Sequence, residues 1–72
     1  MPKQPVFGDI LRAAREANGL SQQELSDRSG VAYRNIQYLE KNATNPSYRT
    51  ILLLTAGLGA ELVIGFKAFD GE

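Results

Sequence analysis

The chain has 72 residues, eight Lys or Arg balanced by eight Asp or Glu, and neither cysteine nor histidine. This length makes one small domain near the lower limit for a single core, and 43% apolar with 22% charged residues is globular rather than disordered composition. Disulfides, thiolate or imidazole metal sites, thiol nucleophiles and histidine general bases are all excluded, which leaves self-association as the aid to a marginal core.

The opening MPKQPVFGD lacks the apolar run of a signal peptide, and no segment reaches about 18 apolar residues, so a cytoplasmic protein without a membrane partner is expected. From Val6 to Asn18, Phe7, Leu11 and Ala14 recur at spacings of four and three, one stripe of a helix. Asp9 sits in its first turn, where the helix dipole favours negative charge, and Asn18-Gly19 supplies the stop. Ser21-Gln-Gln-Glu24 is a capping box that opens a second, short helix, ended by Ser29-Gly30. A new period of Val31, Ile36 and Leu39 runs to about Lys41 and predicts a third helix over 32–41. The polar turn NATN (42–45) follows. Pro46 is predicted at the first position of a fourth helix, where a missing N–H costs nothing. Ile51, Leu54, Thr55 and Leu58 form its buried side, Gly57 and Gly59 weaken and close it, and Leu52 or Leu53 falls on an outer face that suits an interface.

Glu61 to Phe69 changes character. Leu62, Ile64 and Phe66 alternate with Val63, Gly65 and Lys67, the period of a strand. A lone strand leaves its backbone groups unpaired, and the simplest partner is the same strand of a second molecule across a two-fold axis. Leu62, Val63, Ile64 and Phe66 are the predicted dimer interface, with Leu62, Ile64 and Phe66 capping helices one and four. The organisation is thus a single domain over 1–72, with a helical core at 6–59 and a dimerisation strand at 61–69.

Two short helices joined through a glycine form a helix-turn-helix. Leu25, Ile36 and Leu39 face one another, Ser26 is small where the helices cross, Gly30 takes the positive φ of a sharp corner, and Val31 plugs the corner into the core. Arg15, Gly19-Leu-Ser-Gln22, Leu25, Gly30-Val31, Ile36, Leu39-Glu40 and Asn45-Pro-Ser47 occur in that order. With these spacings the stretch from about 7 to 59 resembles the Cro/lambda-repressor-like family, also called the xenobiotic-response-element family.

The resemblance implies an all-α fold of four or five helices whose third helix lies in the major groove of double-stranded DNA. Carried over by position, Tyr33, Arg34, Asn35, Gln37 and Tyr38 fall where the family touches bases. Gln22 falls where it grips a phosphate, and Lys41, Asn42 and Thr44 fall in the loop along the sugar-phosphate backbone. Arg15 and Glu40 match a structural ion pair. Two positions depart from the family pattern. Ala32 replaces the serine or threonine that caps the third helix, and Ser26 replaces an alanine. The chemistry fits base reading: Arg34 suits guanine O6 and N7, and Asn35 suits adenine N6 and N7.

Zero net charge means that one copy binds DNA weakly, so two copies on a palindromic operator are expected. The functional expectation is a homodimeric repressor without cofactor or metal, and not an enzyme. Ser21 has no histidine to activate it, and the acids Asp9, Glu16, Glu24, Asp27 and Glu61 are too scattered for a carboxylate pair. The strand-forming tail also resembles those of HipB-like antitoxins, paired with HipA-type kinase toxins. The alternative expectation is therefore an antitoxin that binds a toxin protein and autoregulates its operon.

Overall fold

The computed structural model of the chain describes residues 6–60, which form four helices: α1 (Phe7–Ala17), α2 (Gln22–Ser29), α3 (Tyr33–Glu40) and α4 (Tyr48–Gly57). The predicted strand at 61–69, with Leu62, Val63, Ile64 and Phe66, lies outside the described residues.

The core is the set of positions that helical spacing selects. Leu11, Leu25, Val31, Ile36, Leu39 and Leu54 are buried, and Phe7, Leu20, Leu53 and Leu58 pack around them. Each fully buried aliphatic side chain contributes about 1.5–3 kcal/mol. Ile51 and Thr55 of the predicted inner side are half-buried, and of the two outer candidates Leu52 is exposed while Leu53 joins the core rim.

Helix α2 has only eight residues and one large buried apolar side chain, Leu25, so its ends matter. The capping box is present in full: the Glu24 N–H donates to Ser21 Oγ at 3.0 Å, and the Ser21 N–H donates to Glu24 Oε1 at 2.8 Å. Hydrogen bonding from the Ser21 N–H, and then from its hydroxyl, holds the exposed Glu24 carboxyl below its ordinary range. At the other end Gly30 is left-handed, with φ +78°, as the corner requires.

Beyond the corner, two serines satisfy the backbone of Val31. Ser26 Oγ donates to its carbonyl at 2.6 Å, and its N–H donates to Ser29 Oγ at 3.1 Å. Ser26 therefore ties the turn by a hydrogen bond. A close helix contact lies elsewhere, between Ser29 and Gly57: a Cβ on Gly57 would stand 2.8 Å from that of Ser29. Gly57 thus lets α4 close onto α2, a packing role that its weak helix propensity hides.

Helix α4 begins later than predicted. Ser47 is the N-cap, accepting from the Thr50 N–H at 3.1 Å, and Pro46 precedes the cap instead of opening the helix. Two start signals stand side by side, and the hydroxyl wins because it satisfies an orphan donor that proline cannot.

Helix α1 has no local side-chain cap at Val6. Its cap arrives from 34 residues away, where Asn42 Oδ1 accepts from the Gly8 N–H at 3.2 Å. Asn42 Nδ2 also donates to Asp9 Oδ1 at 3.3 Å, and Asn42 itself is left-handed, with φ +59°. A Cβ on Gly8 would run into the Leu39 carbonyl and this Asn42 side chain.

Candidate nucleic-acid interface

Helix α3 turns about 100° per residue, which sorts its side chains. Ile36, Leu39 and Glu40 point into the protein and are buried. Arg34 and Tyr38, one turn apart, lie on the opposite stripe with Gln37 beside them. Arg34 is exposed, Tyr38 is 46% exposed and Gln37 is half-buried. Tyr33 is 41% exposed because it opens the helix, and Asn35 is half-buried on the flank. Four of the five predicted base-contacting residues thus surround one outward stripe, with Asn35 at its edge. Helix α3 carries no exposed carboxylate, so this face is not electrostatically hostile to DNA.

The helix spans one residue less at each end than the predicted 32–41, with Ala32 as N-cap and Lys41 as C-cap. Ala32 offers no side-chain cap. Lys41 and Thr44 are exposed in the loop. Asn42 is exposed there too, but its side-chain amide is engaged by Gly8 and Asp9.

Glu40 sets the orientation of the whole face. It is 2% exposed and stands at the end of α3. Arg15 grips it in two places, Nε to Oε2 at 2.7 Å and Nη2 to Oε1 at 3.0 Å, while Arg15 Nη1 donates to the Leu20 carbonyl at 2.8 Å. The predicted ion pair is therefore bidentate and ties α1 to α3. Two partners accompany it that the spacing had not revealed. Gln22 Nε2 donates to Glu40 Oε1 at 3.1 Å. Arg12 Nη2 donates to the Glu40 carbonyl at 3.2 Å, and its Nε lies 3.5 Å from Oε1. Arg12 and Arg15, three apart on one helix, carried a usable signal: such a pair shares a side and converges on one acceptor. Burial alone pushes the Glu40 carboxyl up, but the hydrogen bonds from Arg15 and then Gln22 outweigh it and hold the group below its ordinary value. The same Glu40 hydrogen bonds raise Arg15.

Among the described residues there is no group of three or more acidic, His or Cys side chains able to hold a metal. No described helix is long and apolar enough to cross a membrane.

Comparison with known proteins agrees with this geometry. The helix-turn-helix family HTH_3 matches residues 11–64. The chain belongs to the helix-turn-helix family, in its Cro/lambda-repressor-like branch. Two curated relatives are described as uncharacterized HTH-type transcriptional regulators. One is y4dL of Sinorhizobium fredii (strain NBRC 101917 / NGR234), 39% identical over 57 residues, covering 79% of this chain and 29% of that protein. The other is from Haemophilus influenzae (strain ATCC 51907 / DSM 11121 / KW20 / Rd), 43% identical over 54 residues, covering 75% of this chain and 55% of that protein. The matched stretch thus spans only 29% and 55% of the lengths of these two relatives. Among solved structures it is similar to the restriction-modification controller protein C.AhdI from Aeromonas hydrophila, with TM-score 0.73, 38% identity and coverage of 76% and 83% of the two chains. It is also similar to the P22 c2 repressor in complex with synthetic operator 9T, with TM-score 0.72, 26% identity and coverage of 81% and 88%.

Proposed function

We propose that this helix-turn-helix protein is a sequence-specific transcriptional regulator of double-stranded DNA, a homodimeric repressor that occludes a palindromic operator. The observation that carries the proposal is the outward stripe of α3, where Arg34, Gln37 and Tyr38 stand free on a helix anchored from behind by Glu40. The similarity to a repressor solved with its operator supports the same docking, with the N-terminal half of α3 at the base edges.

In this docking Arg34 reads a guanine through two parallel hydrogen bonds, and Asn35 reaches a neighbouring adenine from the flank. Tyr33 and Tyr38 supply hydroxyls for phosphate and ring edges for a thymine methyl, and Gln37 lies between them. Gln22, Lys41, Asn42 and Thr44 track the sugar-phosphate backbone. Gln22 does so through its main-chain N–H, because its side chain serves Glu40. The Asn42 N–H is bonded to the Leu39 carbonyl, and Asn42 has the second hydrogen of its Nδ2 to offer. No catalytic step is involved. Two copies related by a two-fold axis place their α3 helices about 34 Å apart, one turn of B-DNA.

Selection of bound duplexes from random DNA, followed by binding of an Arg34→Ala variant, tests the proposal. The selected sites are expected to be palindromic. Arg34→Ala is expected to lose preference at one base pair per half-site and to cost about 1–3 kcal/mol. An equal loss on every duplex would reassign Arg34 to phosphate, and a parent with no preference would remove the regulator.

The apolar alternation of Leu62, Ile64 and Phe66 supports a second reading, an antitoxin that also pairs with a kinase-like toxin while binding its own operator. A toxin-like reading frame adjoining the gene separates the two.

A further inference from the structure

The environment of Arg12 contains a feature that the docking above does not use. Gln22 is the side chain from which the family resemblance leads one to expect a phosphate grip, yet its amide nitrogen is anchored on the buried Glu40 carboxylate at 3.1 Å. A phosphate beside the start of α2 therefore meets the Gln22 main-chain N–H but no Gln22 side-chain donor, which leaves room for a second grip. Two guanidiniums reach the same carboxylate oxygen, and they differ in what remains to them. Arg15 is 12% exposed in its side chain and spends Nε, Nη1 and Nη2 on Glu40 and Leu20. Arg12 is 50% exposed. It is held at 3.2 Å on the Glu40 carbonyl and at 3.5 Å on the Glu40 carboxylate, while a guanidinium carries five N–H donors in a rigid fork.

The charges also differ. Arg15 holds Glu40 bidentately at close range and has Glu16 at 4.0 Å besides. The half-exposed Arg12 has only the longer 3.5 Å contact to the Glu40 carboxylate, so its charge is the less compensated of the two at the surface. Its head is fixed where the end of α3 meets the start of α2, since Glu40 closes α3, Gln22 opens α2, and all three side chains share Glu40 Oε1. In helix-turn-helix docking that junction lies against the duplex backbone.

Resting on the DNA-binding reading above, we propose that Arg12 is a phosphate-binding residue, its guanidinium aimed by Glu40 so that the open side of the fork grips one phosphodiester of the duplex. The ligand is the anionic phosphate oxygen pair, for which a planar fork is better suited than an ammonium. The contact is independent of base sequence, so it adds affinity and register without adding preference.

The test is the salt dependence of binding by the full chain, as parent, Arg12→Gln and Arg12→Lys, on a selected duplex and a random one. Arg12→Gln is expected to flatten the slope of log affinity against log salt by about 0.9, the share of one phosphate. It is also expected to weaken both duplexes by the same factor, leaving their ratio unchanged, and Arg12→Lys is expected to restore most of the slope. Weaker binding at the parental slope would make Arg12 a brace for Glu40 only, and unchanged binding would also overturn the proposal. Should Arg12→Gln fail to fold, a methylphosphonate scan compares the parent with Arg12→Met, which keeps an apolar stem and carries no charge. One phosphate position is expected to be penalised differently in the two proteins, and identical profiles would remove the contact.

A parent that prefers no sequence, with the slope still flattened in Arg12→Gln, would sink the regulator and keep this contact. A selective parent with an unaltered slope in Arg12→Gln would do the reverse.

Discussion

At the residue scale, Glu40 concentrates the most consequence in one side chain. Its carboxylate is buried, and Arg15, Gln22 and Arg12 from two other helices all point to it. Removing one partner of a buried pair strands the other, and Glu40→Ala is expected to cost about 3–5 kcal/mol in urea unfolding. The pH dependence has a definite sign. The folded-state pKa of Glu40 lies below its ordinary 4.5, so its stabilisation is complete above that value and is lost as pH falls through the folded-state pKa. Urea midpoints compared at neutral pH and below 4.5 are expected to fall more for the parent than for Glu40→Gln. Glu24, also depressed by its cap, titrates in the same direction, and a Glu24→Gln control separates the two. The Arg15–Glu40 pair was legible because the family motif places both residues. Arg12 and Gln22 joined it unannounced, because convergence from separate helices is a property of space and not of sequence distance. The capping role of the Asn42 side chain was hidden for a similar reason: a polar loop residue looks solvent-directed until the helix it caps is seen beside it.

Helix starts and crossings are where the element scale separates what spacing shows from what it hides. The Ser21 capping box and the Gly30 corner could be read directly, since each depends on residues within four positions. The start of α4 could not, because Pro46 and Ser47 are both start signals and only the hydrogen bond to Thr50 decides between them. The Ser29–Gly57 contact was also hidden, as two small residues in different helices show no periodicity. Helix α3 keeps one local weakness. Ala32 stands at its N-cap with φ −56° and ψ 137°, and its methyl accepts no hydrogen bond. Ala32→Ser is therefore expected to stabilise the protein by about 1 kcal/mol. In thermal unfolding that corresponds to a rise of roughly 4–8 °C for a domain of this size.

For the whole molecule, the remaining question is how so small a core is supplemented. An apolar groove between α1 and α4 is lined by Phe7, Ile10, Ala14, Ile51, Thr55 and Leu58, with Ile10 52% exposed. On α1 this groove lies roughly a third of a turn from the side bearing Arg12 and Arg15. A second copy seated there would leave the Glu40 cluster uncovered. Deleting residues 61–72 is expected to yield monomers in sedimentation and, through the lost second copy, a steep fall in operator affinity. A truncated chain that still dimerises would place the interface elsewhere. Among the described residues, the four helices and the outward side of α3 were legible in the sequence, because the family motif and helical period agree on them.

The Gly8–Asn42 contact carries a consequence for how this chain can vary. The bare α-carbon at 8 leaves room for the carboxamide at 42, and that carboxamide replaces the cap that Val6 does not supply. Neither position can drift alone: a methyl at 8 evicts the amide, and a shorter group at 42 orphans the N–H at 8. Two sites 34 residues apart in the chain are thereby bound to a shared fate, and the bend after α3 inherits its shape from the first turn of α1.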